Sequence, residues 1–211
     1  MDRWERVSKV ALRLAILACM AVPGGAAAAC RLAVLGDSLA AGYGLPEQDA
    51  FPIKLQAALE SRGVACEVLN AGVSGDTSAG GLARLDWVLA DQPTHLLVEL
   101  GGNDALRGLP VEQLRDNINK IVSSAKARGV KVVLAGMLAP PNMGRSYTDA
   151  FRQVYEDVAR EQSVPLYPFF LDGVVLTTGM MQADGIHPNA RGVALIAERI
   201  APLVTAAIQD E

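Results

Sequence analysis

Three side chains from two distant parts of the sequence have the types and settings needed for nucleophilic catalysis. The first is Ser38, in the Gly-Asp-Ser sequence of residues 36–38, directly after a short apolar run. An apolar run of this kind, ended by a glycine turn, is typical of a buried parallel strand, and ligands bind at the carboxyl ends of such strands. A serine hydroxyl is a weak nucleophile unless a neighbouring base accepts its proton, and imidazole is the usual base near neutral pH.

The sequence contains two histidines, and one of them lies in a pattern suited to that role. His187 belongs to the Asp-Gly-Ile-His-Pro turn of residues 184–188, just before a helical pattern. Asp184 could accept a hydrogen bond from the second ring nitrogen and so fix the tautomer, or it could merely cap the turn. His95 begins an apolar run, far in sequence from these loops, and we interpret it as a structural or surface residue.

Two glycine-containing loops offer hydrogen-bond donors for the negatively charged oxygen that forms during acyl transfer. Residues 70–77 include Gly75, and glycines let backbone N–H groups approach a substrate closely. Residues 101–104, Gly-Gly-Asn-Asp, include Asn103, whose side-chain amide is a candidate donor. Either loop could instead be an ordinary strand-to-helix turn in which the aspartate serves as a cap.

Five short apolar runs alternate with helical patterns, which predicts an α/β fold. Such alternation gives a parallel sheet with helices on both faces, so we expect a three-layer α/β/α sandwich with a five-stranded parallel sheet. The apolar runs are residues 32–35, 66–69, 96–100, 130–135 and 164–167. The helical patterns cover residues 51–62, 77–89, 110–128, 147–161 and a last segment that follows Pro188 and ends near 208. The candidate residues then fall in loops at the carboxyl edge of the sheet.

Taken together, these motifs resemble the four sequence blocks of the SGNH (GDSL) hydrolases. The blocks are Gly-Asp-Ser-Leu at 36–39, the glycine of Ser-Gly-Asp-Thr at 74–77, Gly-Gly-Asn-Asp at 101–104 and Asp-x-x-His-Pro at 184–188. The resemblance extends from about residue 31 to the C-terminus. More narrowly, the chain resembles the bacterial periplasmic thioesterase I/lysophospholipase group of multifunctional arylesterases. This resemblance implies a flavodoxin-like SGNH hydrolase fold.

The resemblance also implies a role for each block. Ser38 would be the nucleophile, His187 the base and Asp184 the partner of that base. The backbone N–H groups of Ser38 and Gly75, together with the side chain of Asn103, would form the oxyanion hole. The chain has the family's residue at each of these positions.

A flexible substrate loop after the third block is a further implication of the resemblance. In this chain the loop is residues 104–110. We predict substrate contacts from Asp104, Leu106, Arg107 and Leu109. The apolar members of the loop would suit an acyl chain, but they could equally serve for packing.

The first 29 residues have the layout of a secretory signal peptide. A basic segment of residues 3–13 precedes an apolar core at 14–22, a Pro-Gly-Gly break at 23–25 and small residues at 26–29. We expect residues 1–29 to be removed, leaving a single domain of residues 30–211 in the periplasm or outside the cell. The alternative is an uncleaved membrane anchor.

Two cysteines would remain after that removal, and both would then face an oxidising compartment. Cys30 precedes the first apolar run and Cys66 opens the second, so neighbouring parallel strands would bring the two together near their amino ends. We predict a Cys30–Cys66 disulfide. In the alternative, Cys30 is a lipidated first residue of the mature chain.

Charge and motif content argue against several other classes of function. The formal net charge is −4 and the sequence pI is about 5.3, without a basic stripe interleaved with aromatic residues, which argues against a nucleic-acid partner. No Cys/His cluster has the spacing of metal ligands, so we expect neither a metal nor another cofactor.

The sequence therefore predicts a serine ester or thioester hydrolase that works through an acyl-enzyme. Its partner would be a small-molecule acyl ester or thioester, namely an acyl-CoA thioester, a lysophospholipid or an aryl ester. One alternative is a carbohydrate O-acetyl esterase of the same fold, although few aromatic residues are present to stack on sugars. Another is a non-catalytic acyl- or lipid-binding protein. We expect a monomer that makes at most transient contact with membrane lipid.

Overall fold

The computed structural model describes residues 29–210, so the predicted signal peptide lies outside the described residues except for residue 29. Five strands form one parallel sheet in the order β2-β1-β3-β4-β5. The strands are β1 (Arg31–Gly36), β2 (Glu67–Gly72), β3 (His95–Glu99), β4 (Lys131–Ala135) and β5 (Leu166–Tyr167). The prediction of an α/β fold with a five-stranded parallel sheet is confirmed.

The order of the strands places a crevice at the carboxyl ends of β1 and β3. The chain builds β2 on one side of β1 and then crosses to build β3 on the other, so Gly36 lies opposite both Gly72 and Glu99. Ligands of open α/β sheets bind at such a switch point. All five residues of β3 are buried, as expected for a strand covered by helices on both faces.

Eight α-helices within residues 29–210 cover the two faces of the sheet. They are α1 (Ser38–Ala41), α2 (Phe51–Glu60), α3 (Ser78–Ala83), α4 (Leu85–Ala90), α5 (Gly102–Leu106), α6 (Val111–Ala127), α7 (Arg145–Gln162) and α8 (Ala190–Gln209). Helix α2 packs against α8, and α6 packs against α3 and α7. Of the helices in residues 29–210, α8 is the one whose length and hydropathy would allow it to cross a membrane, but its apolar face, which includes Val193, Ile196 and Ile200, is buried in the core.

The helix predicted over 77–89 is in fact two helices, α3 and α4, and this prediction is corrected. The backbone leaves the helical region at Arg84, where φ is −106° and ψ is 6°. The Arg84 side chain donates hydrogen bonds to the carbonyl oxygens of Gly36 and Ala71. The periodicity of apolar residues could not reveal this break, because its cause is a contact with distant strands.

The amino edge of the sheet carries the two cysteines. Cys30 and Cys66 are joined by a disulfide, with their Cα atoms 4.6 Å apart, just before the paired residues Arg31 and Glu67 of β1 and β2. His95 is buried at the same edge, and its Nδ1 lies 2.8 Å from the hydroxyl of Thr94. His95 is therefore remote from the carboxyl-edge loops.

Candidate active site

The nucleophile candidate, Ser38, is the first residue of α1, directly after the tight turn that ends β1. The Asp37 carboxylate caps the short helix, since its Oδ1 accepts a hydrogen bond from the Leu39 N–H at 2.9 Å. A Cβ atom at position 36 would lie 2.5 Å from Ala40 Cβ and 2.6 Å from Glu99 Oε2, so only glycine fits there. Because β3 and α1 approach Gly36 closely, the direction of the backbone from the end of β1 to Ser38 is fixed.

The side chains of Ser38, His187 and Asp184 form a continuous chain of hydrogen bonds. The Ser38 Oγ is 2.9 Å from His187 Nε2, and His187 Nδ1 is 2.6 Å from Asp184 Oδ2. The other carboxylate oxygen of Asp184 accepts from the backbone N–H groups of Ile186 and His187 at 2.9 and 3.0 Å. Asp184 thus caps the turn and orients the imidazole at the same time.

The electrostatic state of Asp184 follows from these contacts. The hydrogen bond from the His187 ring, followed by those from the His187 and Ile186 backbones, lowers the pKa of Asp184 to about 2. The carboxylate is therefore ionised across the whole range in which an imidazole titrates. A fixed negative charge at Nδ1 stabilises the imidazolium that forms when His187 accepts a proton.

The loop that carries His187 is held by contacts that the sequence did not indicate. The Tyr43 ring lies against the imidazole, with ring centroids 4.6 Å apart. The Gln182 side-chain amide donates to the carbonyl oxygens of Tyr43 and Pro188 at 2.8 and 3.0 Å. Nothing in the local sequence pattern pairs Tyr43 with His187.

Asn103 is fixed by the residue that precedes Ser38. Its Nδ2 donates to Asp37 Oδ2 at 3.0 Å. An amide nitrogen carries two hydrogens, and within residues 29–210 the second one is not used. Gly75, on the neighbouring loop, has φ of +86°, a conformation that favours glycine, and its carbonyl oxygen accepts from Arg107 Nη2 at 2.7 Å.

Two buried carboxyl groups lie beneath this edge. Asp37 is 2 % exposed, and burial raises its pKa to about 6 despite the hydrogen bonds from Leu39 and Asn103. Glu99 is fully buried, and burial followed by the charge of Asp37 raises its pKa well above the usual range. Glu99 Oε2 accepts from the Asp37 N–H at 3.3 Å. The feature of the sequence that could have pointed to Glu99 is a single acidic residue within an apolar strand.

The predicted substrate loop divides into buried and accessible members. Asp104 is 1 % exposed and accepts from the Ser78 N–H and hydroxyl at 2.8 and 2.5 Å. This burial corrects the prediction that Asp104 contacts substrate, because its carboxylate is already satisfied inside the protein. Leu106 and Arg107 are exposed, so a substrate could reach their side chains, as the predicted contacts require.

Leu109 lines an open cavity of about 620 Å³ at the carboxyl edge. Met143 and Tyr147 line the same cavity, and the Tyr147 hydroxyl donates to the Leu109 carbonyl at 2.9 Å. The lining of this cavity does not include Ser38, Asn103 or His187, so the cavity lies beside the candidate site rather than within it. Within residues 29–210, no three His, Cys, Asp or Glu side chains gather closely enough to hold a metal ion.

Comparison with known proteins gives consistent matches over most of the chain. The GDSL-like lipase/acylhydrolase family matches residues 34–195. Esterase TesA of Pseudomonas aeruginosa is 46 % identical over 177 residues, which cover 83 % of this chain and 88 % of that protein. Thioesterase 1/protease 1/lysophospholipase L1 of Escherichia coli K12 is 44 % identical, covering 83 % of this chain and 84 % of that protein.

A solved structure agrees with both relatives. The crystal structure of AlinE4, an SGNH-hydrolase family esterase, superposes with a TM-score of 0.73 and 40 % sequence identity, covering 87 % of this chain and 98 % of that one. The family match at residues 34–195 contains the end of β1, all of β2 to β5 and every candidate residue of the carboxyl edge. The chain belongs to the GDSL-like lipase/acylhydrolase family and is a hydrolase of the SGNH type.

Proposed function

We propose that this protein hydrolyses acyl esters and thioesters, namely acyl-CoA thioesters, lysophospholipids and aryl esters, with Ser38 as the nucleophile. The observation that carries the proposal is the continuous hydrogen-bond chain from Ser38 through His187 to Asp184, at 2.9 and 2.6 Å. The relatives, an esterase and a thioesterase/lysophospholipase by name, support the same range of substrates.

In the first half of the proposed reaction, His187 Nε2 accepts the proton of Ser38 Oγ as that oxygen attacks the acyl carbonyl carbon. The resulting oxyanion accepts hydrogen bonds from the backbone N–H groups of Ser38 and Gly75 and from the Asn103 amide. Donors of this kind are worth about 10²–10³ in rate each, since they act on charge that develops in the transition state. His187 then returns the proton to the leaving alcohol or thiol, which leaves Ser38 acylated.

In the second half, water repeats the sequence on the acyl-enzyme. His187 accepts a proton from the water as the water attacks the ester carbon, and gives that proton to Ser38 Oγ as the acid departs. Asp184 stays ionised throughout, because its pKa of about 2 lies far below that of an imidazole. No other group has to change its charge.

The substrate range is tested by the kcat/KM of the purified domain, residues 30–211, on a panel of compounds. The panel holds p-nitrophenyl esters and acyl-CoA thioesters from acetyl to palmitoyl, lysophosphatidylcholine and an acetylated xylan. We expect turnover of aryl esters, thioesters and the lysophospholipid that is absent in Ser38→Ala. Turnover of the acetylated sugar alone would favour the carbohydrate esterase, and binding without turnover would contradict catalysis.

We also propose that residues 1–29 direct export and are then removed. The basic, apolar and small-residue order of this segment and the Cys30–Cys66 disulfide support a periplasmic or secreted protein. The intact mass of the protein recovered from the periplasm or medium should correspond to a chain that starts near Cys30. Full-length mass in the cytoplasmic fraction, with all three cysteines as free thiols, would contradict this proposal.

A further inference from the structure

Arg84 stands at the break between α3 and α4 and uses every nitrogen of its guanidinium group. Its Nε lies 2.6 Å from Asp76 Oδ2, its Nη1 donates to the Ala71 carbonyl at 2.6 Å, and its Nη2 donates to the Gly36 carbonyl at 2.9 Å. The side chains of Arg84 and Asp76 are only 18 % and 17 % exposed. This ion pair is therefore largely shielded from water.

The three acceptors of Arg84 lie at the carboxyl ends of β1 and β2 and in the loop after β2, next to the nucleophile and one oxyanion donor. Gly36 ends β1 two residues before Ser38, and Ala71 lies next to the last residue of β2. Asp76 directly follows Gly75. One side chain thus joins the turn of Ser38 to the loop of Gly75.

A guanidinium suits this position because its planar group presents five N–H donors in fixed directions, whereas a lysine ammonium is a single point of charge. Loss of Arg84 would leave the Asp76 carboxylate without its partner and two backbone carbonyls without these donors. The Gly75 loop would then keep the Arg107 contact and the buried Ser78–Asp104 contact on its other side. The link between the Gly75 loop and the Ser38 turn would therefore be weakened, while these other contacts of the Gly75 loop remain.

We propose that Arg84 is a positioning residue for the oxyanion hole, which sets the Gly75 N–H relative to Ser38 by joining Gly36, Ala71 and Asp76. The inference rests on the proposed function. Arg84 touches no substrate and acts through the Gly75 loop. An oxyanion forms only as the reaction proceeds. The loss of Arg84 should therefore lower kcat and leave KM nearly unchanged.

The test compares Arg84→Gln and Arg84→Lys with Arg62→Gln as the matched control. Arg62 also binds a carbonyl and a carboxylate, those of Ala58 and Glu198, but it follows the end of α2, away from the carboxyl-edge loops. Kinetics use a p-nitrophenyl ester, corrected for the active fraction by titration with a phosphonate. An alkylboronic acid, which forms a tetrahedral anion on serine, reports the affinity of the oxyanion hole.

We expect Arg84→Gln to lower kcat by about 10–100-fold, since displacing a catalytic group by about 1 Å can cost ~10²-fold. KM should change by less than about threefold, and the boronic acid should bind more weakly in parallel with kcat. Arg84→Lys should recover part of both losses, and Arg62→Gln should match the wild type. A folded Arg84→Gln that keeps the wild-type kcat and boronic acid affinity would overturn the proposal.

A second variant decides the matter if Arg84→Gln fails to fold. Asp76→Asn leaves the bonds of Arg84 to Gly36 and Ala71 in place and weakens only the link to the Gly75 loop. It should lower kcat and boronic acid affinity in the same direction, by a smaller factor. No effect in Asp76→Asn would count against the proposal. A wild-type protein without esterase activity would instead refute the proposed function, so the two failures are distinguishable.

Discussion

At the carboxyl edge of the sheet, charged side chains are buried beside Ser38, whereas at the amino edge a disulfide ties neighbouring strands together. The buried polar residues of the described chain are Asp37, Ser78, His95, Glu99, Asp104 and Asn117. His95 is the member of this set at the amino edge, and Asn117 donates to Ser78 and so belongs to the carboxyl edge. Burial of charge carries a free-energy cost, which indicates that the carboxyl edge is arranged for chemistry at the expense of stability.

The difference between the two edges implies that they respond differently to mutation. Changes at the carboxyl edge should remove activity and leave the free energy of unfolding nearly unchanged or even increased. Changes at the amino edge should lower the free energy of unfolding and leave the kinetics of the folded protein unchanged. Each of the following experiments could contradict this predicted difference between the two edges.

The largest expected effect is that of Ser38→Ala. Without the hydroxyl no acyl-enzyme can form, and removal of a serine nucleophile costs at least ~10⁴-fold in kcat. The melting temperature should stay close to that of the wild type, because Ser38 is only partly buried. Residual turnover within about tenfold of the wild type would remove Ser38 from the mechanism.

Asp184→Asn should have the next largest effect. The asparagine amide would face His187 Nδ1 with a donor and favour the wrong tautomer, so we expect a loss of about 10²–10⁴-fold in kcat, smaller than for Ser38→Ala. Asp172→Asn, at an exposed aspartate paired with Arg199, is the control and should keep the wild-type kcat. Equal activity of the two variants would show that Asp184 serves only the turn.

The double variant Cys30→Ala/Cys66→Ala tests the amino edge. The bridge closes a segment with a sequence separation of 36, and its loss should lower the free energy of unfolding by about 2–4 kcal/mol. Urea unfolding measures this change, and kcat/KM below the transition should equal that of the wild type. A loss of activity in the folded variant would mean that the two edges are coupled.

The smallest effect is a pH dependence that comes from Asp37. Its pKa is about 6 in the folded protein against 3.8 as the ordinary value, so between these values the folded state binds more protons than the unfolded state. The free energy of unfolding should therefore fall as the pH rises through this window, by about 2–3 kcal/mol from this group. Asp37→Asn should have a smaller slope but keep the part that comes from Glu99, whose pKa burial also raises, and equal slopes in both proteins would contradict the prediction.

The strands and the loops of the candidate site could be predicted because their signals are local. Apolar runs ended by glycine mark β1 and β3, and the motifs at 36–39 and 184–188 place Ser38 and His187 at the same edge. The disulfide followed from the pairing of neighbouring strands. Each of these inferences needed only sequence order and the geometry of a parallel sheet.

The features that could not be predicted depend on contacts between distant residues. Asp104 belongs to a segment that the sequence predicts as an accessible loop, yet it lies in α5 and its buried carboxylate accepts hydrogen bonds from Ser78. The break at Arg84 arises from carbonyl groups on two strands, which helical periodicity does not register. The stacking of Tyr43 on His187 joins residues 144 positions apart.

The central claim is that Ser38 is the activated nucleophile of this edge. Treatment of the domain, residues 30–211, with a fluorophosphonate, followed by peptide mapping with mass spectrometry, tests it most directly. We expect one adduct per chain, on Ser38, which is lost in His187→Ala because the base is missing. An adduct on another residue, or none under conditions in which the wild type hydrolyses esters, would contradict it.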